Sequence, residues 1–140
     1  MSLLDRAVVP VATVEDADST CSALEPHLED VSSVLAVHVI EKGGGSVDKA
    51  PLAKRQADAE EVLERVEDAL GDAVAVETKT VYGTDVVEAL FETAEDADAT
   101  AIVFVPRSGG RIVRLLSGDT AMRLVTEGTV PVVALPRNRR

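Results

Sequence analysis

The sequence predicts an α/β protein: a five-stranded parallel sheet, doubly wound, carrying four helices. Three observations lead there. Short apolar runs alternate with helical patterns along the whole chain, in the order β-α-β-α-β-α-β-α-β, and such alternation implies right-handed crossovers on a parallel sheet. Most of the apolar runs are nearly continuous, as strands covered on both faces are. Apolar residues make up 46% of the 140 residues while aromatics are only 2%, so the core must be built from Val, Leu, Ile and Ala, which suits a sheet flanked by helices.

The strands are read at Ala7 to Ala12, Val34 to Ile40, Ala73 to Val81, Ala101 to Val105 and Val130 to Leu135. The third alternates more and is more polar, as suits a strand near an edge. Pro cannot donate to a sheet ladder; Pro10 lies near the end of the first strand and Pro131 near the start of the last, where the loss is tolerable.

Four helical patterns separate these runs. Asp16 to Leu28 places Ala17, Cys21, Leu24 and Leu28 on one stripe, with Pro26 expected to distort or shorten its end. Leu52 to Leu70 places Ala59, Val62, Leu63, Val66, Ala69 and Leu70 on one face and mostly charged residues on the other. Gly71 follows as a C-terminal cap. Val87, Leu90, Phe91 and Ala94 give the i, i+3, i+4, i+7 spacing of a third helix. The last runs from about Asp119 to Glu127, with Gly128 placed to end it. No internal repeat or linker divides the chain, and one domain over residues 1–140 is expected.

Charge narrows the function. Lys plus Arg number 14 against 25 Asp plus Glu, a net charge of −11. Such a chain repels nucleic acid and anionic membrane surfaces over most of its area, so neither is expected as a partner. Only four of the basic residues are Lys, and an acidic, Lys-poor, Ala/Val/Asp-rich composition resembles that of halophile proteins. Cys21 is the only cysteine, which points to a reducing cytoplasm and to a packed core thiol. The first residues lack a signal-peptide h-region, and no apolar run approaches bilayer length.

In an open α/β sheet, ligands bind beyond the carboxyl ends of the strands where the strand order reverses. The loop after the fourth strand, Pro106 to Gly118, places Gly109 and Gly110 after a strand and Ser117-Gly118 before a helix. Free N–H groups and the helix dipole make such a place an anion site. His27 and His38 have no ligand-spaced Cys or carboxylate partner, so no metal is expected. Asp58 to Asp68 is a solvated helix face, not an acid/base pair. Neither a G-x-S-x-G elbow nor a phosphate loop with its Lys is present. No catalytic residue emerges, and an enzyme is not expected. A receiver domain would need clustered acids ending the first strand, which here ends Val-Ala-Thr.

These residues carry a resemblance that spans the chain. Ala101 to Pro136 resembles the C-terminal third of universal stress proteins, in which a strand is followed by G-x2-G-x9-G-[ST], a helix and a final strand of the form PVxVV. Arg114-Leu-Leu-Ser-Gly-Asp-Thr and Thr129-Val-Pro-Val-Val-Ala-Leu match that run and that strand; Val8-Val-Pro-Val, Val37-His-Val-Ile and Gly83 match earlier parts of the family pattern. The resemblance implies a Rossmann-like, adenine nucleotide α-hydrolase-like fold. It also implies a regulatory or protective role in stress, other proteins as partners, and a homodimer paired through Val130 to Leu135. It places ligand-binding positions at Pro10, Ala12, Val39, Val105, Ser108, Gly109, Gly118, Asp119 and Thr120, and the local cluster of arginines adds Arg107 and Arg111.

Several of those positions depart from the family. Val105 and Ser108 stand where it has glycines, Asp119 where it has a Ser or Thr hydroxyl, and Ala12 where many ATP-binding members have a nucleotide-contacting Asp. Val105 cannot allow the close backbone approach a glycine gives. Asp119 makes a good N-cap but repels a phosphate. The expectation is a degenerate site with no cofactor. The alternative is ATP binding in which Arg107 and Arg111, with Arg114 and Arg123 nearby, replace the lost backbone cradle. Otherwise these arginines pair with the protein's own carboxylates or serve a subunit contact.

Overall fold

The structure, a computed structural model, describes residues 2–41, 52–106 and 118–137, with backbone alone over 118–121. The strands are β1 (Arg6–Pro10), β2 (Ser33–Glu41), β3 (Ala75–Gly83), β4 (Ala101–Phe104) and β5 (Val132–Ala134). The helices are α1 (Val14–Leu24), α2 (Leu52–Leu70), α3 (Val86–Asp96) and α4 (Gly118–Thr126), with a 3-10 turn over Glu25–Asp30 after α1. The sheet order is β3-β2-β1-β4-β5, and every pairing is parallel.

This order follows from the two directions of winding. From β1 the chain steps outward through α1 and α2 to β3, which puts both helices on one face. It then crosses back to the far side of β1 and steps outward again through α3 and α4 to β5. Right-handed crossovers in opposite directions place the second pair of helices on the opposite face. The core splits accordingly. Val9, Val11, Val34 and Ala36 pack under Leu24, Val66 and Leu70, while Val8, Val37, Ile102 and Phe104 pack under Leu90, Ala94 and Leu124. Leu24, Leu70, Leu90 and Leu124 are fully buried, so truncating any of them to Ala costs about 2–5 kcal/mol.

The sequence boundaries shift at several ends. Helix α1 starts at Val14 and stops at Leu24, where the expected pattern ran from Asp16 to Leu28. Pro26 explains the end, since it enters the first positions of the 3-10 turn and cannot continue the α ladder. Pro10 closes β1 as expected. Pro131 falls just outside β5, where its carbonyl accepts the Ile102 N–H at 2.9 Å. At Gly71 a Cβ would sit 2.5 Å from the Glu67 carbonyl oxygen, and at Gly128 it would meet the Phe91 ring at 2.9 Å, so both helix ends need the missing side chain. Helix α3 ends in a Schellman turn: Ala99 N–H reaches Ala94 O and Asp98 N–H reaches Glu95 O, with Asp98 left-handed at φ 54°.

Candidate functional site

The strand order reverses between β1 and β4, so a ligand crevice belongs beyond the carboxyl ends of those two strands. At the end of β1 the chain turns through Val11 to Thr13 into α1. Thr13 is the N-cap, its hydroxyl accepting the Asp16 N–H at 3.0 Å. The Asp16 carboxylate reaches back, and its Oδ2 accepts the Ala12 N–H at 2.8 Å. This is a variant of the capping box in which the third helical residue satisfies the N–H just before the cap. Asp16 is fully buried. The strand-end N–H at the switch point is therefore already held by an internal carboxyl group.

The exit of β1 is also pinned sideways. Val11 N–H donates to Val37 O at 2.9 Å, and His38 Nδ1 donates to Val11 O at 3.0 Å. Since a carbonyl only accepts, this contact fixes the proton on Nδ1. Burial pushes the His38 pKa below its ordinary 6.5, with the hydrogen bond to Val11 opposing that shift. His38 thus serves as a strap between β1 and β2.

Four of the sequence-derived site positions have described side chains. Pro10 is buried at the end of β1 and Ala12 half-buried just beyond it. Val105 is 1% exposed and packs into the core on the α1/α2 side, while Val39 is 8% exposed and packs on the α3/α4 side. The fold brings Pro10, Ala12 and Val105 to the ends of adjacent central strands and Val39 to the next one, but none of the four brings a polar side chain. The backbones of Gly118, Asp119 and Thr120 form the first turn of α4. Asp119 is the second residue of that helix and so lies inside its first turn, not at the cap place the sequence assigned to it. Arg107, Ser108, Gly109, Arg111 and Arg114 lie outside the described residues, as do the side chains of Asp119 and Thr120.

Arg123 has other partners. Its guanidinium spans Asp85, with Nη2 to Oδ2 at 2.9 Å and Nη1 to Oδ1 at 3.3 Å, and it also reaches Glu127. Asp85 is at the same time the N-cap of α3, accepting the Val87 and Glu88 N–H groups. The hydrogen bonds from Arg123 hold the Asp85 carboxyl below its ordinary 3.8. Of the arginines that the sequence offered for a phosphate, this one ties α4 to α3 through Asp85 and also pairs with Glu127. The apolar periodicity of the sequence singles out neither Asp16 nor Asp85. The first was legible in Thr13-x-x-Asp16, a capping pattern; the second is 38 residues from its arginine, and no local signal joins them.

Cys21 is buried against the α1/α2-side core, and burial, with Asp18 and Glu25 adding, pushes its pKa up to about 12. Among the described residues no helix is long and apolar enough to cross a membrane.

Comparison with known proteins agrees with this fold. No curated protein matches the chain. Among solved structures, a universal stress protein from Archaeoglobus fulgidus is 22% identical, covering 94% of this chain and 98% of its own, with a TM-score of 0.70. The universal stress protein of that organism in complex with dAMP is 19% identical over 96% of this chain and 99% of its own, TM-score 0.63. A universal stress protein family member from Arabidopsis thaliana with AMP bound is 17% identical over 96% and 92%, TM-score 0.61. At these identities the likeness speaks for the fold alone. The family assignment rests on the universal stress protein family pattern, which matches residues 4–136. The chain belongs to the universal stress protein family.

Proposed function

We propose that the chain is a regulatory or protective universal stress protein of the cytoplasm, not an enzyme, with a degenerate nucleotide site that binds ATP weakly or not at all. The observation that carries this reading is the Asp16 carboxylate on the Ala12 N–H. Where many nucleotide-binding relatives offer a strand-end carboxylate to the ligand, this chain has an Ala, and the neighbouring N–H is consumed from within. Val105, buried beside it at 1% exposure, replaces a family glycine with a packed side chain and denies the close backbone approach. The reading includes a homodimer through the last strand. Ile102 N–H donates to Pro131 O and Leu135 N–H to Phe104 O, so the backbone groups of Val132 and Ala134 point away from β4. Among the described residues β5 ends the sheet on that side, and pairing two such edges satisfies them. Light scattering of the eluted protein should give twice the chain mass; the mass of one chain removes the dimer. The acidic surface suits concentrated salt, and a fold indifferent to salt would count against that part.

A second reading is that Arg107 and Arg111 bind the phosphates of an adenine nucleotide. The relatives solved with dAMP and AMP favour it. Equilibrium titration with ATP, with and without Mg2+, at high and moderate salt, decides between the two. No saturation up to millimolar ATP from folded protein supports the degenerate site. Micromolar binding lost in an Arg107→Ala, Arg111→Ala double variant supports the arginine site.

A further inference from the structure

Strand β3 closes the other side of the sheet. It is nine residues long and, among the described residues, pairs only with β2, leaving one of its edges with no described strand beside it. Its middle is open on both faces: Glu77, Thr78 and Lys79 are all exposed. A groove of about 320 Å³ runs along it on the α3 side, lined by Lys79, Val81, Glu88, Glu92 and Asp96 among others. A second of about 350 Å³ runs along it on the α2 side, lined by Thr78, Thr80, Glu60, Glu64 and Glu67. An open edge between two grooves has the geometry that accepts an added strand, the main chain pairing with the edge and alternate side chains entering either groove.

The chemistry of the grooves selects what is added. Glu88, Glu92 and Asp96 follow one another at four-residue steps on the exposed side of α3, and Glu60, Glu64 and Glu67 do nearly the same on α2. None of the six has an ion pair among the described residues. Four helical residues rise about 6 Å, and same-face side chains of an extended strand repeat at about 6.6–6.8 Å. A row of carboxylates at that interval matches a strand carrying a cation at every second residue. Among the described residues Lys79 is the one basic residue lining either groove, and it marks a position the partner leaves uncharged or acidic.

We infer that the free edge of β3 is a docking site for an extended, basic segment of another protein, added to the sheet as a strand with Lys or Arg at alternate positions. This lies outside the strand-end crevice and does not depend on whether a nucleotide binds. Charged side chains on an edge also guard it against self-pairing, and the experiment separates guarding from docking. The probe is an eight-residue peptide of alternating Thr and Lys, titrated against the full chain while β3 amide exchange is followed. Three comparisons accompany it: the Thr-Glu peptide, the Thr-Lys peptide N-methylated at every second residue, and the Glu88→Gln, Glu92→Gln, Asp96→Asn variant. Saturable binding is expected, with slower exchange in β3, at least tenfold weakening by N-methylation, and about tenfold weakening in the variant or in its Glu60→Gln, Glu64→Gln, Glu67→Gln counterpart. Equal binding of the N-methylated peptide would reduce the effect to charge attraction and overturn the proposal. So would equal binding of the Thr-Glu peptide, protection at β5 in place of β3, no binding at millimolar peptide, or β3 protection that grows with protein concentration alone, which would make the edge a contact between copies.

Discussion

Removing the Asp16 carboxylate tests how the end of β1 is held. In Asp16→Ala, the Ala12 N–H loses its acceptor at 2.8 Å, and α1 loses an acid from its first turn. A hydrogen bond to a charged acceptor contributes about 1.5–3 kcal/mol, and an acid in a first turn about 0.3–1 kcal/mol. Against these stands the recovered desolvation of a fully buried carboxylate, which offsets part of the loss. The net expectation is about 2 kcal/mol of destabilisation, with a fall in Tm on the order of 6 °C for a chain of this size. Thr13→Ala alone should cost about 1 kcal/mol through the lost cap. Because both changes loosen the same turn, the double variant should lose less than the sum by at least about 0.5 kcal/mol. Urea unfolding of the four proteins at one fixed salt concentration measures all of this. Asp16→Ala within about 0.5 kcal/mol of the parent would refute the reasoning, because a buried partner of the switch-point N–H could not then be stabilising.

Three further outcomes follow from contacts elsewhere. The Asp85 carboxyl is depressed by its hydrogen bonds from Arg123, so its contribution is complete above the ordinary 3.8 and is lost as pH falls through the depressed value. Asp85→Asn keeps a good N-cap for α3 but weakens the ion pair. The variant should therefore be less stable than the parent at pH 7, and the gap should close below pH 4 in parallel melts; a gap that widens in acid contradicts the assignment. Cys21, buried with its pKa pushed up to about 12, should resist a disulfide reagent at pH 8 until the protein unfolds, and prompt stoichiometric labelling would show a looser α1. Asp98→Gly relieves a left-handed residue at φ 54° and should raise stability by about 0.5–1 kcal/mol; a loss would mean that the Asp98 side chain stabilises the turn.

The architecture was legible because its signal is periodic and repeated. Four nearly continuous apolar runs and one alternating run gave the sheet, and the polar third run falls at an edge, as β3 does. Helix ends were less legible, since they are set by single contacts. Pro26 was seen to shorten the first helix, but the start at Val14 depended on recognising Thr13 as the cap and Asp16 as its partner. The site was legible by position more than by contact. Pro10, Ala12 and Val105 do meet at the ends of neighbouring strands, yet what lies between them is set by burial and by Asp16. The commitment of Arg123 to Asp85 could not be read at all, because it joins α4 to a helix start 38 residues away.

The central claim, that the switch point no longer supports a tight nucleotide site, is tested most directly by thermal unfolding with and without ATP. A site with Kd near 10 µM would stabilise the folded chain at 1 mM ATP by about 2.7 kcal/mol, roughly 8 °C in Tm for a domain of this size. The account predicts a melting curve that 1 mM ATP and Mg2+ leave within about 1 °C of the nucleotide-free protein. A rise of several degrees that saturates with ATP would contradict it and return Arg107 and Arg111 to the centre of the function.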